Sequence, residues 1–379
     1  MNAFQLMKQG NYMRVLRLLR ESPHSRAELS RRTGLTKAAI TGITASLISD
    51  SVIREGETTP SEKGRRPVML ELSPDVYRAV GIDISRAGVR LCFTDLNMRP
   101  VYERAWSVEQ NRNSVLQELT SVIRVAKEQY HFLGIGVVAP APLDSENGLI
   151  LTPSRLESWH GFSVRTLEEE LELPIILKKD ASALAITEKS IGCTDDTFLV
   201  ILADHGLGSG YIYNRRLFTP SGLGCEIGHL SIDADGIRCS CGSRGCAEAY
   251  ASIPSALKKA REIFGKISWD ELISLAKDGN GRALNILSVQ ADALATACVS
   301  VVNLLEPSSI ILEGELCLWW EFFAERIEKA LSLCCFSEHG RNVHVMPSAL
   351  SHNGRMIAAA NLILEEFFEG EEYDRIGKM

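Results

Sequence analysis

Apolar positions near the amino terminus change period twice within sixty residues. Met13, Leu16 and Leu19, with Val15 and Leu18, recur at helical spacing and predict a helix over 11–21 that Pro23 stops. Ser25 then stands three residues before Glu28, the pattern of a capping box, and predicts a short helix over 26–32. Thr33-Gly34-Leu35 reads as a tight turn. Thr36 caps a third helix running to about Ser49, with a buried stripe of Ile40, Ile43, Leu47 and Ile48. Its other face is read as Lys37, Ala38, Thr41 and Thr44. Val52 to Glu55 and Pro67 to Leu72 read as two strands around a polar loop.

Helix, turn, helix and a two-stranded ribbon form the pattern of a winged helix-turn-helix over residues 1–75. In that arrangement the start of the third helix enters the major groove of duplex DNA, so Thr36, Lys37, Ala38, Thr41 and Thr44 are the candidate contacts. Lys63, Arg65 and Arg66 form a basic wing tip suited to backbone or minor groove. A three-helix protein-interaction module is the alternative for the same pattern.

Beyond Pro74 the periods alternate. Ala79–Ile84, Val89–Thr94 and Val101–Val108 read as strands, followed by a helix, a strand at Leu133–Val138, and helices over 167–173 and 181–191 around a short strand at Ile175–Leu177. A similar succession begins again at Phe198. The alternation predicts an α/β body in two halves with a cleft between them. We place a first lobe at 76–187, with 355–379 returning to it, and a second at 188–354 that carries the dimerisation surface.

Composition changes this picture in one respect. The net charge is -7 over 379 residues, but it is unevenly spread. Residues 1–72 hold 12 Lys+Arg and 7 Asp+Glu, a net of +5, leaving the remainder at -12. A basic module on an acidic body is expected if only one end meets phosphate. No run of 18 apolar residues and no secretory leader is evident, so the expectation is a cytoplasmic protein without a membrane segment, whose ten cysteines are thiols or metal ligands.

His229, Cys239, Cys241 and Cys246 supply an imidazole and three thiolates within eighteen residues. That is a closed tetrahedral set for zinc, with glycines 242 and 245 letting the chain wrap the ion, so a structural site is expected rather than a catalytic one.

These residues lie in Glu226-Ile227-Gly228-His229 and in Cys239-Ser240-Cys241-Gly242 followed by Gly245-Cys246-Ala247-Glu248. The two segments resemble the Glu-x-Gly-His and Cys-x-Cys-Gly-x-x-Gly-Cys-x-Glu patterns of the ROK family of sugar kinases and sugar-responsive repressors. The resemblance runs from Arg78 to about Phe368. It includes Gly134 to Val137 with Pro140, Trp159-x-Gly161, and Pro347-Ser348 with Ala358-Ala359-Ala360. The amino-terminal module is similar to that of the repressor branch in Ser25 to Leu29 and in Gly64-Arg65-Arg66-Pro67. The resemblance implies a two-lobed actin-like (ribonuclease H-like) sugar-kinase fold. By matched position, Glu226, His229 and Glu248 would contact sugar hydroxyls, one His229 nitrogen binding zinc and the other facing the sugar. Asp180 matches the kinase aspartate.

Departures from the family pattern fall on the nucleotide side. The family's Asp-x-Gly-Gly-Thr turn is here Asp83-Ile84-Ser85-Arg86-Ala87, and its Gly-Gly after an apolar strand is Glu313-Gly314, where a carboxylate is expected to repel ATP. The glycine-rich turn Asp204 to Gly210 is partly retained. In the sugar pocket Lys179 and Arg155 replace asparagines. These two cations suggest an anionic ligand such as a sugar phosphate; alternatively they pair with protein carboxylates such as Asp180. The chain is therefore expected to be a non-catalytic regulator, a repressor acting as a homodimer or dimer of dimers on an operator and controlled by a sugar or sugar phosphate. A sugar kinase, or a regulator answering to a protein partner, are the alternatives.

Overall fold

The computed structural model describes residues 3–58, 67–153, 156–219, 224–350 and 354–369. At the amino terminus, α1 (Ala3–Glu21), α2 (Arg26–Thr33) and α3 (Lys37–Ser49) pack against a three-stranded sheet in the order β1-β3-β2, formed by β1 (His24–Ser25), β2 (Ile53–Thr58) and β3 (Val68–Leu72). Local hydrogen bonds explain the boundaries. Ser25 and Glu28 form the expected capping box, and the Thr36 side chain accepts from the Ala39 amide. Gly34 closes α2 with φ 72°. The first helix is longer than expected, beginning at Ala3. Lys63, Arg65 and Arg66 lie outside the described residues.

Next come β4 (Tyr77–Ser85), β5 (Gly88–Thr94), β6 (Pro100–Ser107), α4 (Arg112–Lys127) and β7 (His131–Ala139). A small sheet of β8 (Leu143–Asp144), β9 (Leu149–Ile150) and β10 (Phe162–Ser163) precedes α5 (Arg165–Leu171), β11 (Ile175–Lys179) and α6 (Asp180–Ile191). A second set follows with β12 (Phe198–Ala203), β13 (Leu207–Tyr213) and β14 (Arg216–Leu217). Helices α7 (Glu248–Ala251), α8 (Ile253–Phe264), α9 (Trp269–Lys277) and α10 (Gly281–Leu305) come next. The chain ends with β15 (Ser309–Gly314), α11 (Trp320–Cys334), α12 (Glu338–Arg341), β16 (His344–Pro347) and α13 (Gly354–Glu369).

The two large sheets repeat one topology. Their orders are β11-β7-β4-β5-β6 and β16-β15-β12-β13-β14. In each, the central strand pairs antiparallel with the next strand in the chain and parallel with a later one. Helix α13 packs on β4 and β7, α6 packs on β12 and β13, and the two helices pack on each other between the sheets. Two glycines permit these close approaches. A Cβ at Gly136 would lie 1.7 Å from the Ala359 carbonyl oxygen, and one at Gly210 would lie 2.3 Å from that of Ala181. The small residues Ala358, Ala359 and Ala360 face the same contact and are fully buried.

Helix α10 is long and apolar enough to cross a bilayer by composition. It instead carries Leu287, Leu294, Cys298 and Val302 fully buried in the core of the second set of elements. The apolar core of the amino-terminal helices is continuous with the packing under α13. Leu16, Leu29 and Leu47 belong to one buried cluster with Met356, Leu364 and Phe368.

Candidate functional site

The ends of β11, β12 and β13 and the start of α13 converge on one cleft. It is lined by Lys179, Asp180, Glu226, His229 and Glu248, with Ser85, Arg86, Asp204 and Arg355. Five of the expected ligand residues are thus brought together. Arg155 lies outside the described residues.

Lys179 does not stand ready for an anion. Its side chain is 4% exposed, and its ammonium lies 2.7 Å from Glu226 Oε1 and 2.9 Å from the Cys225 carbonyl oxygen. The partner is Glu226 rather than Asp180, because β11 delivers residue 179 to the Glu226 side of the cleft. Glu248 Oε2 accepts from the Leu207 amide at 2.9 Å. Each of these carboxylates keeps a second oxygen able to accept hydroxyl hydrogen bonds. Asp180 begins α6 and accepts from the Ala181 amide. Burial pushes its carboxyl up to about 6 despite the nearby Arg355 guanidinium.

Arg355 was not singled out in the sequence and is central here. Its Nη1 donates to Asp204 Oδ2 at 2.6 Å, and its Nε lies 3.3 Å from Asp83 Oδ2. Asp83 is also held by Arg90 at 2.7 Å. One guanidinium on α13 therefore ties β4 of the first sheet to the end of β12 in the second. Burial would raise Asp204, but Arg355 holds it below the usual carboxylate range. No local pattern marks Arg355, whose partners lie far away in the chain.

Glu313 is buried at the end of β15, 5% exposed, and one of its oxygens has no hydrogen-bond partner. Burial pushes it up to about 7. The carboxyl that follows the apolar strand is thus buried and holds its proton to higher pH than a free glutamate.

The loop 229–246 is tightly turned. Gly245 has φ 68°, and a Cβ there would meet the Asp233 carbonyl oxygen at 1.7 Å. The ligand atoms of His229, Cys239, Cys241 and Cys246 lie within 4.8 Å of one another. Cys241 and Cys246 sulfurs are 3.6 Å apart, and Cys239 Sγ is 3.8 Å from His229 Nδ1. Tetrahedral coordination with metal–sulfur bonds of about 2.3 Å requires sulfurs ~3.8 Å apart, so the set fits a metal ion. Because Nδ1 faces the thiols, Nε2 is left for the cleft that His229 lines.

On α3, Thr36, Lys37, Ala38 and Thr41 are exposed. Thr44 is not. It is fully buried and its hydroxyl accepts from Arg26 Nε at 3.2 Å, so it braces α2 against α3 and is withdrawn as a DNA contact. Its position, four after Ile40 and three before Leu47, places it in the buried stripe. Gly42 and Ala45 are the exposed neighbours that the sequence reading passed over.

A two-lobed α/β body of the sugar-kinase type, with a carboxylate-lined cleft beside a Cys/His loop able to hold a metal ion, is the class that these features define. The chain belongs to the ROK family, which it matches over residues 79–366. It is 27% identical to the xylose repressor of Bacillus subtilis (strain 168) over 374 residues, covering 96% of this chain and 97% of that one. It is 24% identical to the DNA-binding transcriptional dual regulator NagC of Escherichia coli (strain K12), covering 94% and 92%. Among solved structures, a ROK family transcriptional regulator described as a homologue of the E. coli MLC protein superposes with a TM-score of 0.80 at 24% identity, over 99% of this chain and 100% of that one. A ROK family glucokinase from Streptomyces griseus, in complex with glucose and AMPPNP, superposes with a TM-score of 0.67 at 21% identity, covering 75% of this chain and 98% of that one.

Proposed function

We propose that the protein is a transcriptional repressor that binds an operator through an amino-terminal winged helix-turn-helix and responds to a sugar held between its lobes. The observation that carries the reading is the joining of the cleft to the amino-terminal helices by one element. Helix α13 bears Arg355 in the cleft and, at its other end, Asn361 and Glu365, which accept from Arg20 of α1. The names of the relatives, xylose and N-acetylglucosamine repressors among them, support a monosaccharide effector.

Glu226, Glu248, Asp180 and His229 are the residues we assign to the sugar hydroxyls, with Lys179 positioning Glu226. Thr36, Lys37, Ala38 and Thr41 are assigned to the major groove, and Lys63, Arg65 and Arg66 to the backbone or minor groove. The metal is structural zinc held by His229, Cys239, Cys241 and Cys246, which leaves no coordination position for water. It fixes the imidazole that reads the ligand. No phosphoryl transfer is expected, because Arg86 stands in the phosphate turn and Glu313 replaces the first glycine of the nucleotide pair. Arg355 spans the floor of the cleft.

One helix-turn-helix covers a half-site, so the active species is a dimer. Leu304, Leu333 and Phe336 are 75%, 71% and 92% exposed at the far edge of the second lobe, and this patch is our candidate for the two-fold contact. Changing the separation of the lobes on sugar binding would shift α13 and with it the two recognition helices. Acting on chromosomal DNA, the protein works in the cytoplasm.

The test is selection of operator duplexes from random sequence with the zinc-loaded full chain, then measurement of operator affinity with D-xylose, D-glucose and N-acetyl-D-glucosamine, alone and as phosphates. The expected result is a palindromic operator and at least one sugar that changes affinity tenfold or more. Absence of selected sequence, or hexose phosphorylation with ATP at enzyme-like rates, would overturn the reading.

A further inference from the structure

One hydroxyl is buried where an apolar side chain would serve the packing. Side chains alternate along a strand, so Leu207, Ser209 and Tyr211 of β13 point to one face. Leu207 and Tyr211 lie there in an apolar cluster with Ile227, and Ser209 between them is fully buried. A buried hydroxyl costs stability unless it is hydrogen-bonded, so its partners show its use. Ser209 Oγ donates to the Cys225 carbonyl oxygen at 2.9 Å and accepts from the Ile227 amide at 3.4 Å. These are the two peptide groups on either side of Glu226. Glu226 itself lies in neither helix nor strand, so no ladder of backbone bonds fixes it. The turn that follows is pressed onto the same strand, where a Cβ at Gly228 would lie 2.1 Å from the Leu207 carbonyl oxygen. A second side chain arrives from the other lobe. The Lys179 ammonium donates to the same Cys225 carbonyl at 2.9 Å and to Glu226 Oε1 at 2.7 Å. Lys179 ends β11 of the first large sheet, whereas Ser209 lies in the second. Glu226 is thus gripped twice, its backbone by Ser209 and its carboxylate by Lys179.

We infer that Ser209 is a positioning residue for Glu226 and, through it, sets which sugar the cleft prefers. That role rests on the proposed assignment of Glu226 to sugar hydroxyls. Lys179 occupies Oε1 and leaves Oε2 to accept from the ligand. Where Oε2 points depends on the backbone at 226, which the Ser209 hydroxyl staples. An acceptor held in one place is met by a hydroxyl of one configuration and is left unpaired by the epimer, so a fixed Glu226 discriminates and a loose one does so less. The two grips respond differently to movement of the lobes. Lys179 is withdrawn from Glu226 when the sheets separate, because it belongs to the opposite one. Ser209 shares a lobe with residues 225–227 and stays bonded to them. It therefore keeps Glu226 set in the open cleft, which lowers the ordering cost when a sugar enters.

Calorimetric titration of the zinc-loaded full chain provides the first test. The probes are D-glucose, its epimers D-mannose and D-galactose, D-xylose and N-acetyl-D-glucosamine. Wild type is expected to prefer one of them by about tenfold or more. In Ser209→Ala the preferred sugar should weaken by about tenfold, the worth of one hydrogen bond, while the others change little and the preference narrows. Ser209→Thr keeps the hydroxyl and should restore the preference. A hydroxyl that only steadies the strand would weaken all the sugars together or none of them, so a preference unchanged in Ser209→Ala would overturn the inference. The second test needs no sugar. Hydrogen exchange at the Ile227 amide should quicken by about tenfold in Ser209→Ala while the ladder amides of β13 keep their rates. Exchange at Ile227 that is unchanged would overturn the inference whatever the sugars do. Quickened exchange in a protein that binds none of the sugars would support the staple and overturn the sugar reading instead.

Discussion

The Arg20 guanidinium lies 2.6 Å from the Glu365 carboxylate, 345 residues further along the chain. The same guanidinium donates to Asn361 Oδ1 at 2.8 Å and sits 4.6 Å from the centre of the Phe368 ring. Glu365 is shared with Lys189 at 3.1 Å and with the Ser190 hydroxyl. This half-buried knot joins α1, α6 and α13, and is where motion of the lobes is passed to the amino-terminal helices in the proposed mechanism.

Replacing Arg20 with alanine leaves Glu365 paired to Lys189, so the loss is smaller than for a buried pair stripped of every partner. We expect about 1–3 kcal/mol of stability to be lost. Hydrogen exchange along α1 should quicken, and the effect of sugar on operator affinity should fall while sugar binding itself persists. The knot also has a pH limit. Burial raises Glu365, but Arg20 and Lys189 together bring it below its ordinary 4.5. Its contribution is therefore present above about pH 4.5 and is lost as pH falls through the lower folded value. An Arg20→Ala protein that retains the full sugar response would sink the coupling.

The metal loop carries a second prediction. Cys241→Ser should reduce bound zinc from one per chain to a small fraction of that, read by metal analysis. With the His229 ring no longer held, affinity for sugar should drop by about 10–100-fold, the range found when groups orienting a metal site are removed. Chelation of the wild type should produce the same loss, restored by zinc. Unchanged sugar affinity in the metal-free protein would separate the loop from the cleft.

Features built by neighbours in the chain were legible in the sequence. Ser25 with Glu28, Thr36 at the head of α3, and the four metal ligands each depend on spacings under twenty residues. Arg355 was not legible, since Asp204 lies 151 residues before it and only the folding of two sheets against α6 and α13 brings the pair together. Thr44 shows a different failure. Polarity suggested an exposed residue, but the 3.6-residue period puts it among Ile40 and Leu47. Thr44→Val should therefore alter stability and leave base preference unchanged, whereas Thr41→Ala should change the selected operator sequence and Lys37→Ala should lower affinity for all sequences and reduce its salt dependence. A shifted operator preference for Thr44→Val would restore Thr44 to the interface.

Glu313 carries a pH-dependent prediction of its own. Its carboxyl titrates at about 7 in the folded chain against 4.5 ordinarily, chiefly through burial. A raised carboxyl holds its proton in the folded state where the unfolded state has released it. Stability therefore declines as pH rises from about 4.5 to 7 and stays reduced above that. Glu313→Gln keeps the shape without the charge, and should stabilise the protein by about 3 kcal/mol at pH 8 and by nearly nothing at pH 4. Denaturant melts at the two pH values read the difference directly. Equal effects at both would mean that Glu313 is not held neutral by its surroundings.

Phe336 decides the proposed assembly. Its ring is 92% exposed, and its backbone amide is held by Asn303 at 2.9 Å, beside Leu304 on the end of α10. An exposed aromatic near exposed Leu304 and Leu333 gains most by burial against a second copy, since a ring of this size removes some 150–250 Å² from water. Phe336→Glu places two charges face to face across a two-fold axis and should convert the dimer to monomers in sedimentation at micromolar concentration. Zinc content and sugar binding should survive, because the residue is remote from the cleft. Operator affinity should fall steeply, by far more than the loss of one phosphate contact, since each monomer then holds only a half-site. A Phe336→Glu protein that sediments as a dimer would move the two-fold contact to another face.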